Sequence, residues 1–139
     1  MSETLVQFEL VSPEQLLISE EVEMVVVPGS EGDFGVLPGH SPIITTVRPG
    51  VIHIFTNGTI SSRIFVAGGF SEVTSDRCTV LAEEALSVDK IDKTKTESDL
   101  QMAIDEVNKI DNKIARKLAE NRVTIEQAKL SAINAPVYQ

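Results

Sequence analysis

The sequence predicts an all-β N-terminal part followed by an α-helical C-terminal part. Three observations carry this. Short alternating or β-branched runs recur through residues 1–87, separated by turn residues. All eight glycines lie between Gly29 and Gly69. From residue 88 onward there is no glycine, Pro136 is the sole proline, and apolar residues recur at steps of three or four. The expected division is a β domain over 1–87 and a two-helix domain over 88–139.

Val6, Phe8 and Leu10 alternate with Gln7 and Glu9, the period of a half-buried strand. Val22–Val27 is a β-branched run, and Ile43–Val47 is another, closed by the turn Arg48-Pro49-Gly50. Val51–Thr56 and Thr59–Val66 flank Asn57-Gly58, a strong hairpin signal because both central residues of a type I′ turn need positive φ. Gly68-Gly69 predicts a bend before Phe70–Thr74, and Ser75-Asp76-Arg77 turns into Cys78–Glu83. Many short, evenly spaced strands imply a sandwich or a barrel.

In the C-terminal part, Leu100, Ile104, Val107, Ile110, Ile114 and Leu118 form an amphipathic stripe. Thr96, Ser98, Asp89 and Asp92 are candidate N-caps. Lys109–Lys113 is the candidate break, without Gly or Pro, so one long helix over 94–134 and two antiparallel helices both fit.

Between the strand signals lies the densest punctuation of the chain. Residues Pro28 to Pro42 hold four glycines and three prolines, which predicts stacked tight turns joining short strands. Such turns present Glu31, Asp33 and His40 from a rigid scaffold. A phosphate cradle is excluded, because Glu31 and Asp33 repel phosphate and no lysine is near.

Charge separates the two parts. Residues 1–87 carry three basic residues (Arg48, Arg63, Arg77) against twelve acids, while 88–139 carry nine of each. An acidic β part argues against nucleic acid and suits basic loops on a protein partner. No segment approaches the ~20 apolar residues of a membrane helix, so no direct membrane insertion is expected. The start Met1-Ser2-Glu3-Thr4 lacks a secretory pattern, which leads to the expectation of a cytosolic chain.

Catalytic equipment is sparse. His53 sits mid-strand and reads as a surface or partly buried side chain. Neither histidine belongs to a nucleophile or zinc motif, so no metal and no catalytic residue are expected. The lone Cys78 lies in an alternating apolar segment and reads as a small core hydrophobe. These features point to a subunit that binds proteins.

The run Val27-Pro28-Gly29-Ser30-Glu31-Gly32-Asp33-Phe34-Gly35-Val36-Leu37-Pro38-Gly39-His40-Ser41-Pro42 closely resembles the signature of the epsilon subunits of bacterial F-type ATP synthases, equivalent to the mitochondrial delta subunits. Val47-Arg48-Pro49-Gly50, Val66-Ala67-Gly68-Gly69-Phe70 and Val80-Leu81-Ala82 extend the resemblance. It implies a ten-stranded β-sandwich and a C-terminal helical hairpin. It also implies a non-catalytic rotor subunit of the central stalk, packed on the gamma subunit and touching the c-ring, peripheral on the cytoplasmic face of the bacterial inner membrane. Carried over, the c-ring or gamma contact would comprise Glu31, Asp33, Phe34, Leu37 and His40. The helices would reach the alpha and beta subunits in an inhibitory state. This hairpin is net neutral and short, which argues against strong inhibition.

Some family members bind ATP through an Ile/Leu-Asp-x-x-Arg-Ala motif. Here Ile91 and Asp92 match, but Lys95 stands where the Arg would be and Thr96 where the Ala would be. Lysine does not reproduce the guanidinium fork, so no cofactor is expected. Two other readings compete with the rotor subunit: a free-standing sandwich that binds a peptide or small ligand, and an enzyme with a site built from scattered residues. Six Phe/Tyr and no Trp disfavour the binding module.

Overall fold

The computed structural model describes residues 4–134, so the end of the expected helical part, 135–139, lies outside the described residues. Ten strands are followed by one short 3₁₀ turn and two helices. The strands are β1 (Val6–Val11), β2 (Leu16–Val22), β3 (Met24–Gly29), β4 (Gly32–Val36), β5 (Ile43–Val47), β6 (Gly50–Thr56), β7 (Thr59–Val66), β8 (Gly69–Val73), β9 (Arg77–Ala82) and β10 (Ala85–Ser87). Helix α1 is Lys93–Lys109 and α2 is Lys113–Asn134. The chain divides into two compact units between Ser87 and Val88.

The strands form a curled sandwich. One layer is β10-β7-β6-β3, with β4 paired to β3, and the other is β5-β8-β9-β1-β2. The layers connect through a single pair, Gly29 opposite Val47. All contacts within the layers are antiparallel except β1 with β9, which run parallel. Alternation works as expected: Val6, Phe8 and Leu10 from one layer and Val25, Val27, Ile52 and Ile54 from the other are at most 1% exposed and fill one core. Cys78 joins that core, and burial pushes its thiol up to about 11, so it stays protonated.

The hairpin turn at 57–58 has the positive φ values its sequence demands, 53° and 77°. Glu23 reinforces it by accepting from Gly58 N at 2.8 Å.

Two strand readings change. The run Val22–Val27 is not one strand: Val22 ends β2 and Met24 begins β3, with Glu23 N bonded to Phe55 O at the corner. Part of the turn-rich block, Gly32–Val36, is a strand paired residue for residue with β3. Glycines at 32 and 35 do not prevent this, because the ladder and the buried Val36 hold the segment extended.

In the helical unit the break falls where Lys109–Lys113 suggested, giving two helices. Asn112 ends the ambiguity: its side-chain oxygen accepts from Ile114 N and Ala115 N, capping α2. Asp92 is the N-cap of α1 and accepts from Lys95 N at 2.9 Å. The break resets the helical phase, so the stripe does not continue. Ile114 and Leu118 are 77% and 66% exposed, while Ala119 and Glu126 on another face of α2 are buried. No helix is long and apolar enough to cross a membrane among the described residues.

Candidate functional site

Strand direction sorts the turns of the sandwich into two ends. The pairings Gly29 with Val47, Val47 with Gly69, Gly69 with Ala82 and Val11 with Leu81 put five turns at one end. These are Ser12–Gln15, Ser30–Glu31, Arg48–Pro49, Ala67–Gly68 and Glu83–Glu84. They, with Asp33 at the base of the second, bring together Glu14, Glu31, Asp33, Glu83 and Glu84. Arg48 is the only Lys or Arg on these turns.

The residues expected to form one contact surface are therefore divided. Glu31 and Asp33 belong to the acidic end, with Glu31 exposed in the two-residue loop between paired Gly29 and Gly32. Leu37 and His40 lie past the other end of β4, whose five residues span roughly 17 Å. There Leu37 is 55% exposed, His40 N bonds Leu37 O, and Gly39 N bonds Ser75 O in the β8–β9 turn. His40 Nδ1 lies 2.6 Å from its neighbour's carbonyl oxygen, Ser41 O. Phe34 packs partly buried against the core and buttresses the tip. A Cβ on Gly29 would lie 2.9 Å from both the Phe34 ring and Gly32 O, so only glycine fits there.

Two features of the acidic end escaped the sequence reading. The first is Arg48. Its guanidinium donates to Gly29 O at 2.6 Å and to Asp33 Oδ1 at 2.5 Å. Asp33 is thus partly neutralised within the chain, while Glu31 pairs with no cation among the described residues. A signal existed: Arg48 is the one basic residue in the first 62 positions. The second is an apolar row across the outer face of the β5–β2 layer. Phe70 lies opposite Leu81, Leu81 beside Val11, and Val11 opposite Leu16. Phe70, Leu81 and Leu16 are 57%, 45% and 55% exposed, with Ile44 at 71% one row further along.

His53 is not a surface group. It is 7% exposed, and burial first, then the Arg63 charge, hold its pKa below the ordinary histidine value, against a smaller opposing pull from Asp33.

The candidate nucleotide residues start a helix. Asp92 caps α1, and Lys95 Nζ donates to Asp99 Oδ2 at 2.7 Å, which raises the lysine pKa and lowers that of Asp99. Ile91 precedes the cap. On α2, the buried Glu126 accepts from Arg122 Nε at 2.9 Å and lies 3.6 Å from Lys129 Nζ. The charges of Lys129 and Arg122 also reach Asp99 on α1. A cleft of about 300 Å³ opens between the helices, lined by Ile104, Val107, Asn108, Glu120, Val123 and Thr124. No cluster of metal-ligating side chains occurs among the described residues.

Residues 5–88 match the family model of the ATP synthase delta/epsilon chain β-sandwich domain. An ATP synthase epsilon chain of Rhodospirillum rubrum is 50% identical over 132 residues, covering 95% of this chain and 98% of the relative. The chain belongs to the ATP synthase epsilon chains. A second family member, from Rhodospirillum centenum, is 51% identical over 91% of this chain and 90% of its own length. Among solved structures, the fold is similar to a chain of the Euglena gracilis mitochondrial ATP synthase OSCP/F1/c-ring assembly. That match has a TM-score of 0.81 and 22% identity, over 94% of this chain and 82% of that one. A chain of the Tetrahymena thermophila central stalk and c-ring is similar at a TM-score of 0.65 and 12% identity, over 92% and 96%. As an epsilon chain, the protein takes its place in the F-type complex that couples proton transport to ATP synthesis.

Proposed function

We propose that this chain is a non-catalytic rotor subunit that joins the gamma subunit to the c-ring, at the cytoplasmic face of the bacterial inner membrane. Residues 1–87 make the joint and the helical domain, 88–139, supplies any contact with alpha and beta. The observation that carries the reading is the layout of the sandwich. Its acidic end presents Glu31 on a tight loop beside Glu14, Glu83 and Glu84. The apolar row Phe70–Leu81–Val11–Leu16 runs along the face beside that end. A polar contact suited to basic loops of the c-ring thus adjoins an apolar contact suited to a folded partner such as gamma. The neighbours in fold are chains of F1/c-ring and central-stalk assemblies, which agrees with such partners.

Leu37 and His40 lie at the far end of β4 and form a second, separate contact with gamma in this reading. The segment Ile91–Lys95 is a helix start rather than a nucleotide site, supported by the Asp92 cap and the Lys95–Asp99 pair. Titration of ATP into the chain is expected to give no saturable binding at millimolar concentrations.

The decisive experiment is a pull-down from detergent-solubilised membranes with the tagged chain. Gamma and c subunits are expected in the eluate, and their absence would remove the rotor reading. Changing Glu31 and Asp33 together to Lys is expected to lower ATP-driven proton pumping relative to ATP hydrolysis.

A further inference from the structure

The acidic loop is held from below by four hydrogen bonds to the β5–β6 segment. Ser30 N donates to Thr46 O and Arg48 N donates to Pro28 O, both at 2.9 Å. The Arg48 side chain then closes the base. One guanidinium nitrogen bonds the Gly29 carbonyl at the end of β3, and the other bonds the Asp33 carboxylate at the start of β4. The fork therefore ties the two arms of the β3–β4 hairpin to each other and to the β5–β6 turn. Phe34 fills the space beneath Gly29.

We propose that Arg48 is the positioning residue of the docking loop, and that Glu31 alone supplies its contact charge while Asp33 serves as the internal anchor for Arg48. This rests on the rotor reading above. An isolated exposed ion pair contributes little, and both side chains here are about two-fifths exposed, at 44% and 38%. The fork differs in kind, because it also engages a backbone carbonyl with fixed geometry. Its consequence is orientation: a hairpin held by four hydrogen bonds presents the Glu31 backbone in one place, so docking orders the side chain without also having to order the loop. Lysine cannot perform this task, since a single ammonium carries the charge but not the planar fork that fits both acceptors.

The test uses the full-length chain in two assays. Backbone ¹⁵N relaxation on the free chain reads the order of Ser30, Glu31 and Gly32. Reassembly onto ATP synthase stripped of this subunit reads docking. Arg48→Ala and Asp33→Asn are expected to lower the order parameters of the loop from ~0.85 towards ~0.6, with the core amides unchanged. Both are expected to weaken reassembly by roughly 5- to 30-fold. Arg48→Lys is expected to behave like Arg48→Ala, and full rescue by Lys would overturn positioning in favour of plain charge balance. Weak reassembly of Asp33→Asn with a rigid loop would make Asp33 a direct contact and also overturn the proposal. Reassembly unchanged by Glu31→Gln would instead remove the docking reading itself, a result distinct from the loop order measured on the free chain.

Discussion

The sandwich and the helical unit bury different kinds of residue. The sandwich core is built from large side chains such as Phe8, Leu10, Ile52 and Ile54, each at most 1% exposed. In α1 and α2 the buried residues are Ala103, Ala119 and Ala132 with the polar Thr96 and Glu126. Of their larger apolar side chains, Leu100, Ile104, Val107, Val123, Ile125, Leu130 and Ile133 are only half-buried, and Met102, Ile114 and Leu118 are more than 60% exposed. Burial stabilises by about 25 cal/mol per Å² of apolar surface, so the sandwich carries most of the hydrophobic stabilisation. The helices add side-chain caps and one-turn ion pairs to a shallower apolar contact. One unit is built to hold a shape, and the other is held by interactions that single substitutions can remove.

This contrast is open to direct attack. Phe8→Ala is expected to destabilise the chain by about 3–5 kcal/mol in denaturant titration, because it opens a cavity between the layers. A loss below 1 kcal/mol would mean that the core is not the main support. Glu126→Gln removes the carboxylate shared by Arg122 and Lys129 and is expected to cost the helices about 1–3 kcal/mol. Hydrogen exchange should speed up in α1 and α2 while strand amides keep their protection. Uniform acceleration across both units would contradict the division.

A pH effect sharpens the comparison from the sandwich side. His53 has a folded pKa below its unfolded value of about 6.5, so the unfolded state binds more protons there. The stability of the sandwich should fall as pH drops through that value, with Arg63 opposing and Asp33 favouring the charged form. His53→Gln should flatten the melting temperature between pH 7.5 and pH 5.5, and an undiminished slope would assign the effect elsewhere. The smallest change is expected from Leu118→Ala, within about 0.5 kcal/mol for the free chain, since the side chain is mostly exposed.

The fold class was legible because its signals are local. Asn57-Gly58, the Val6–Leu10 alternation and the glycine-free C-terminal stretch each dictate structure without help from distant residues. Strand β2 was not legible. Leu16–Glu21 has no clean alternation, since it lies at an edge and its pairing with β1 includes a bulge near Val11. β4 was hidden by Gly32 and Gly35, whose extended state comes from the β3 ladder. At the site, Glu31 could be read from its turn. The sorting of turns into two ends, the Arg48 fork and the Phe70–Leu16 row could not, because each depends on which distant strands are neighbours.

The parallel pairing of β1 with β9 bears on how the chain is made. Gln7 sits opposite Arg77, its partner 70 positions later. A ribosome adds roughly 5–20 residues per second, so β1 waits about 4–14 s after leaving the exit tunnel before β9 can join it. Until then the edge of β1 that faces β9 is open beside the β1–β2 hairpin, while Phe8 and Leu10 lack part of their cover. The N-terminal strand is thus the first synthesised and among the last completed, and the nascent chain is most open to chaperones or to wrong pairing in that interval.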